Sequence, residues 1–139
     1  MSEKALEVAK KNAEINNAKV EFIHSNLFEN ISDLKVDFIV SNPPYIETDV
    51  CDTLDKEVRD NEPILALDGG VDGLDFYKSI TKQAKEHLNK NGVLAFEIGY
   101  NQADSVKNLM KDEFKNIKVI KDYGNNDRVV IGELIWLKD

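Results

Sequence analysis

The chain has 139 residues, of which 42% are hydrophobic, so its length and apolar content suit one domain with a single buried core. Its 26 Asp and Glu outweigh 18 Lys and Arg to give a net charge of -8, which argues against non-specific binding to nucleic acid and against attachment to an anionic membrane. The sequence has a single cysteine and no Cys and His cluster with metal spacing, which favours a metal-free protein of the reducing cytoplasm. It also has no apolar run near the ~20 residues that a membrane span needs.

The first 40 residues predict one helix followed by two strands. Ser2 suits a helix N-cap, and apolar residues recur at helical spacing from there to about Asn16. Residues 19–24 alternate polar and apolar side chains, which predicts a half-buried strand. Residues 36–40 form a short apolar run that predicts the second strand.

The second strand runs directly into Asn42-Pro43-Pro44-Tyr45. Two consecutive prolines can neither continue a sheet ladder nor enter a helix interior, so the strand has to stop there in a stiff turn. Residues 46–73 are acidic and only weakly periodic, which predicts a long excursion with one short helix near residues 52–60.

Regular structure returns after residue 73 as alternating helices and strands. The predicted elements are a helix from Asp75 to Asn91-Gly92, a strand over 93–98, a helix around 103–110, and two strands over 117–120 and 128–137 that are joined by a turn at 123–127. This order predicts an α/β fold with a mainly parallel sheet and an antiparallel edge at its C-terminal end.

The Asn-Pro-Pro-Tyr segment leaves the carboxyl end of a strand, where open α/β sheets bind their ligands. An Asn side-chain oxygen and a proline carbonyl can accept both hydrogens of a planar, amide-like NH2 group, and the Tyr45 ring can pack on that group. An amide nitrogen is a poor nucleophile and must be aligned with a strong electrophile, which indicates alkyl transfer from a sulfonium. A rigid end to the strand is the purely structural alternative.

Several segments together resemble the HemK-type (PrmC) glutamine methyltransferases. They are SNPPYI, EVRDNEPILAL, DGGVDGLDFY, FEIG followed by Gln102, and DYGNNDRVVIGE. The resemblance covers nearly the whole chain and implies a class I, Rossmann-like methyltransferase fold. Members of this family transfer a methyl group from S-adenosylmethionine to the side-chain amide of the glutamine in the GGQ motif of peptide-chain release factors.

The resemblance assigns roles to the acceptor side of the site. It implies that Asn42 and the Pro43 carbonyl hold the target amide as the catalytic groups, that Pro44 stiffens the turn, and that Tyr45 lines the substrate pocket. It also places Glu62 near the substrate entrance.

On the cofactor side, the resemblance places Asn26 and Leu27 at the adenine of S-adenosylmethionine and counts Asn42 among the cofactor-binding residues. Asn26 stands where the family often has Asp, so it brings no charge. Arg128 matches a family segment in which a structural role is expected.

The glycine-rich turn with which the family cradles the methionine end of the cofactor has no match in residues 1–139. We therefore expect these residues to be the C-terminal portion of a methyltransferase domain, without its first two strands and without the N-terminal helical domain. The edge at residues 36–41 would then be exposed. Either a second copy of the chain would pair with it, giving a homo-oligomer, or residues 19–24 would pair with it directly.

Two other functions stay open from the sequence. Adenine presents a similar planar NH2 group, so adenine-amino methylation of DNA or RNA is the alternative enzyme, although the acidic balance disfavours it. A non-catalytic, truncated remnant is the other alternative.

We expect the 139 residues alone to lack measurable affinity for S-adenosylmethionine, because no glycine-rich turn is present to hold its methionine end. Isothermal titration calorimetry tests this expectation. Tight binding of one S-adenosylmethionine per chain would contradict it.

Overall fold

The computed structural model describes residues 2–31, 33–54 and 63–136, and the chain divides into two compact units, residues 1–34 and 35–139. The first unit holds helix α1, Glu3–Ile15. The Ser2 hydroxyl accepts a hydrogen bond from the Ala5 amide at 3.3 Å, so the predicted N-cap is confirmed.

The strand predicted at residues 19–24 is wrong, because residues 18–25 form no strand. Alternating side chains stabilise a strand only where a neighbouring backbone completes its hydrogen bonds. The described strands all come from residues 36–134. Without a strand at 19–24, the predicted strand pairing of 19–24 with 36–41 is wrong as well.

The second unit is built on a four-stranded sheet in the order β1-β2-β4-β3. The strands are β1 (Val36–Ser41), β2 (Leu88–Glu97), β3 (Phe114–Lys121) and β4 (Asp127–Leu134). β1 runs parallel to β2, whereas β4 runs antiparallel to both β2 and β3. The α/β class and the antiparallel C-terminal edge are confirmed. The described sheet is mixed rather than mainly parallel, because the short turn between β3 and β4 folds β4 back between β2 and β3.

The helices described in this unit are α2 (Thr48–Cys51), α3 (Asp75–Ala84) and α4 (Ala103–Met110), with a 3-10 turn at Ile64–Ala66. α3 packs against β2, and α4 packs against β3, β4 and α3. The fully buried core lies between these helices and one face of the sheet, and its largest side chains are Tyr77, Phe96, Phe114, Leu88, Leu94, Ile98 and Met110.

The opposite face of β1 is open. Phe38 and Val40 are 68% and 78% exposed, and β1 forms one edge of the sheet. The exposed edge expected at residues 36–41 is therefore present in the described residues. Association of copies through this edge stays a prediction.

The predicted helix end at Asn91-Gly92 is wrong. α3 already ends at Ala84, and Leu88 pairs with Val36 as the first residue of β2. Asn91 has φ 61°, and the pairing of β1 with β2 shifts register between Leu88 and Val93. The left-handed residue therefore marks a bulge in a strand, which has the same residue preference as a helix C-cap.

Replacing the buried Phe96 by Ala should lower the free energy of unfolding by about 3–5 kcal/mol, since its ring fills the core and packs edge-on against Tyr77 with ring centroids 5.1 Å apart. Phe38→Ala on the neighbouring strand is the matched control and should cost less than about 1 kcal/mol. Urea unfolding measures both variants. Equal losses would contradict this placement of the core.

Candidate active site

The Asn-Pro-Pro-Tyr segment leaves the carboxyl end of β1, where Ser41 pairs with Phe96 of β2. It borders an open cleft of about 320 Å³. The cleft is lined by Asn42, Pro43, Tyr45, Ile46, Ala66 and Leu67. The structure thus brings the predicted acceptor residues together with Ala66 and Leu67 of the excursion, to which the sequence assigns no role in the site.

Two polar groups at this cleft are left free. The Asn42 side chain is exposed, and neither its amide nor the Pro43 carbonyl makes a hydrogen bond to any residue that the structure describes. The Tyr45 and Ile46 carbonyls, which come after Pro44, each accept a hydrogen bond from another segment. Two free acceptors one residue apart suit the two hydrogens of an NH2 group.

The Pro-Pro turn is held on one side by a short parallel pairing between Ile46 and Asp68. The Ile46 amide donates to the Leu67 carbonyl at 3.0 Å, and the Gly69 amide donates to the Ile46 carbonyl at 2.8 Å. These bonds bring the Leu67 wall of the cleft against the turn.

The Asp68 carboxylate reinforces this pairing. It accepts hydrogen bonds from the Gly70 amide at 2.9 Å and from the Thr48 hydroxyl at 2.7 Å. Both bonds favour the charged form and lower the pKa of Asp68. Nearby, burial raises the pKa of the Cys51 thiol, helped by the negative charge of Asp68, which favours the neutral thiol.

Glycines allow the close approach of the two segments, as turn geometry rather than as a phosphate loop. A Cβ atom on Gly69 would lie 2.7 Å from Tyr45 Cα and 2.8 Å from the Pro44 carbonyl oxygen. Gly73 has φ +67°, and a Cβ atom there would meet the Tyr45 carbonyl oxygen.

Gln102 and Tyr77 hold the other side of the turn. Gln102 Nε2 donates to the Tyr45 carbonyl oxygen at 3.0 Å, and the Tyr77 hydroxyl donates to the Glu97 carbonyl at 2.9 Å. Burial raises the pKa of Tyr77, and the neighbouring negative charge of Glu97 adds to the shift, so its phenol stays protonated. The sequence places Gln102 in a segment that resembles the family but assigns it no role.

Arg128 is tied to its own hairpin. Its guanidinium donates to the Asp122 carboxylate at 3.1 Å and to the Ile98 carbonyl at 3.3 Å. Hydrogen bonds to the Asp122 carboxylate lower its pKa; the bond from the Asn126 backbone amide has the largest effect and the bond from Arg128 the next largest. These contacts fit the structural role expected for Arg128, since they close the β3–β4 turn onto the end of β2.

The other predicted site residues lie outside the unit that holds the cleft or outside the described residues. Asn26 and Leu27 lie in the first unit, where Asn26 Nδ2 donates to Glu29 at 2.8 Å and Leu27 has φ 49°. Their cofactor role stays a prediction. Glu62 and most of the helix predicted near 52–60 lie outside the described residues, and α2 ends at Cys51.

In residues 2–31, 33–54 and 63–136, the His, Cys, Asp and Glu side chains form no group of three that could hold a metal ion. None of the helices described is both long and apolar enough to cross a bilayer.

The chain is similar to known methyltransferases. The profile of the methyltransferase small domain matches residues 1–70. A release factor glutamine methyltransferase from Fusobacterium nucleatum is 49% identical over 136 residues, which are 96% of this chain and 38% of that protein. Another, from Agrobacterium fabrum, is 47% identical over 94% of this chain and 46% of its own length. The chain therefore spans less than half the length of these curated relatives.

A solved structure supports the fold. A methyltransferase from Pyrococcus furiosus matches with a TM-score of 0.70 at 22% identity, covering 96% of this chain and 59% of that one. At this identity the likeness concerns the fold alone, and it agrees with a class I methyltransferase architecture.

Gly69→Ala should destabilise the chain by about 1–3 kcal/mol, because the new methyl group would push the Pro44–Tyr45 backbone away from the Gly69 segment. Amide hydrogen exchange at Ile46 and Gly69 should accelerate more than exchange in the sheet. Gly124→Ala is the control, since its Cβ would meet only side-chain atoms. Equal stability of the two variants would show that the turn is not tightly packed against this segment.

Proposed function

Because the chain belongs to the methyltransferase small domain family, we propose that it forms the acceptor-binding part of an enzyme that methylates a glutamine side-chain amide. The substrate is the GGQ glutamine of a peptide-chain release factor, and residues 1–139 correspond to the C-terminal portion of the methyltransferase domain. The two relatives named for this activity support the substrate, and the cytoplasm, where translation terminates, is the expected compartment.

The observation that carries this proposal is the pair of free acceptors at the cleft. Asn42 Oδ1 and the Pro43 carbonyl oxygen would each accept one hydrogen of the glutamine NH2 group, which fixes the plane of the amide. A fixed plane aims the nitrogen in one direction and removes the entropy cost of finding it. Tyr45, which also lines the cleft, would flank the flat amide.

The methyl donor is S-adenosylmethionine, which supplies a methyl group bonded to a positively charged sulfur. The chain's own residues fit a part of it. Asn26 uses its side-chain nitrogen on Glu29, while its side-chain oxygen has no partner in the part of the chain that the structure describes. That oxygen can accept a hydrogen from the adenine amino group, which is the contact proposed for Asn26, with Leu27 beside it.

Adenine-amino methylation is the second candidate, because the same two acceptors suit the amino group of adenine. A net charge of -8 disfavours it, since nucleic acid binding draws on Lys and Arg at the phosphates. A non-catalytic remnant is the third candidate. The two free acceptors at the cleft do not favour it over an enzyme.

The test is a hybrid in which residues 1–139 replace the matching segment of the Fusobacterium nucleatum relative. Methyl transfer from labelled S-adenosylmethionine should reach a GGQ-containing release factor and should not reach adenine-containing DNA. Transfer to DNA alone would favour the second candidate, and an inactive, folded hybrid would favour the third.

In this hybrid, Asn42→Ala should reduce the rate of methyl transfer at least ~100-fold, because the amide loses one of its two acceptors and its alignment. The free energy of unfolding should change by less than about 1 kcal/mol, since Asn42 is exposed. Asn108→Ala, an exposed Asn on α4, is the control and should keep the full rate. A full rate in Asn42→Ala would remove Asn42 from the catalytic role.

A further inference from the structure

The side chain of Gln102 joins the separate segments that meet at the cleft. Its Nε2 atom donates to the Tyr45 carbonyl at 3.0 Å and to the Gly73 carbonyl at 3.4 Å. Its Oε1 atom accepts from the Gly99 amide at 3.0 Å and lies 3.3 Å from the Tyr77 hydroxyl, whose single hydrogen it shares with the nearer Glu97 carbonyl. A primary amide has two N–H donors and two acceptor lone pairs, so this side chain is fully used.

The backbone of Gln102 is anchored independently of these bonds. Its amide donates to the Gly99 carbonyl at 3.0 Å, and its carbonyl accepts from the Val106 amide at 3.0 Å in the first turn of α4. α4 in turn buries Val106 and Met110 in the core. The Tyr45 carbonyl is therefore tied to a part of the fold that is itself fixed by packing.

The Gln102 amide is closely surrounded. A Cβ atom on the buried Gly73 would lie 2.9 Å from Gln102 Nε2, and one on the buried Gly99 would lie 3.0 Å from Gln102 Oε1, both closer than ordinary contacts. The glycines thus let the amide approach its partners. Its orientation follows from those partners, because the Tyr45 and Gly73 carbonyls need the nitrogen and the Gly99 amide needs the oxygen.

The link from Tyr45 to Asn42 is short and stiff. Pro43 and Pro44 lie between them, and each proline ring locks its own φ near -65°. At the other end, Ser41 is fixed by its pairing with Phe96. Once the Tyr45 carbonyl is held, Asn42 and the Pro43 carbonyl have little freedom to change direction.

From this geometry we propose that Gln102 is a positioning residue, which sets the direction in which Asn42 and the Pro43 carbonyl face the cleft. Its role in methyl transfer rests on the function proposed above. Its effect on the turn can be measured on the 139-residue chain without any activity.

The experiment compares Gln102→Glu with the unsubstituted chain by NMR. A carboxylate can still accept from Gly99 and Tyr77, but it cannot donate to the Tyr45 carbonyl and repels it. Amide hydrogen exchange at Ile46 and Gly69 should become about tenfold faster, and the Asn42 side-chain NH2 signals should shift or broaden. Exchange in the β2–β4 pairing should stay unchanged.

Gln83→Glu is the matched control, because Gln83 is also half-buried and donates to one backbone carbonyl, that of Ser79 at 3.1 Å within α3. It should leave the Asn42 signals in place. Gln102→Met, which loses both halves of the amide, should disturb the turn at least as much, and if it fails to fold, Gln102→Glu decides alone.

Unchanged Asn42 signals in Gln102→Glu would overturn the proposal, and so would faster exchange spread evenly over the sheet, which indicates a general loss of stability. A hybrid without methyl transfer would refute the proposed function instead, since the NMR result does not depend on activity.

Discussion

A turn with two consecutive prolines cannot be held by its own N–H groups, and the site depends on how the chain meets that constraint. Pro43 and Pro44 donate nothing, so the turn is fixed from its ends. Ser41 pairs with β2, and beyond the prolines the Tyr45 carbonyl and the Ile46 backbone are bound by other segments. At the cleft, Asn42 Oδ1 and the Pro43 carbonyl oxygen make no hydrogen bond to any described residue.

In this arrangement, the groups that hold the turn in place differ from the groups proposed to bind the substrate. Backbone hydrogen bonds and the Gln102 side-chain amide fix the turn, whereas Asn42 Oδ1 and the Pro43 carbonyl oxygen make no hydrogen bond in the described chain. A substitution of Asn42 is therefore expected to change the chemistry with little loss of stability, whereas a substitution of Gln102 is expected to change both. The β3–β4 hairpin also helps to fix the end of β2, because Arg128 donates a hydrogen bond to the Ile98 carbonyl there.

The sequence predicted those elements whose local chemistry and neighbours agree. The Ser2 cap starts α1, and the prolines end β1 where the fold ends it. It failed where one pattern serves two structures. Asn91 and Gly92 suit a helix end as well as a bulge, and residues 19–24 have the period of a strand without forming one. It could not find the Leu67 wall or the Gln102 contacts, because hydrogen bonds between residues 20 to 57 positions apart leave no periodic pattern.

The pairing of Ile46 with Asp68 closes the excursion between them into a loop with fixed ends. The entropy cost of such a closure grows slowly, by about 0.6 kcal/mol for each doubling of loop length. A change in the length of this loop therefore costs little closure entropy, and the pairing keeps the cleft wall at Leu67 in place. Related proteins could thus diverge in the surface offered to a partner protein while the acceptor geometry is inherited unchanged.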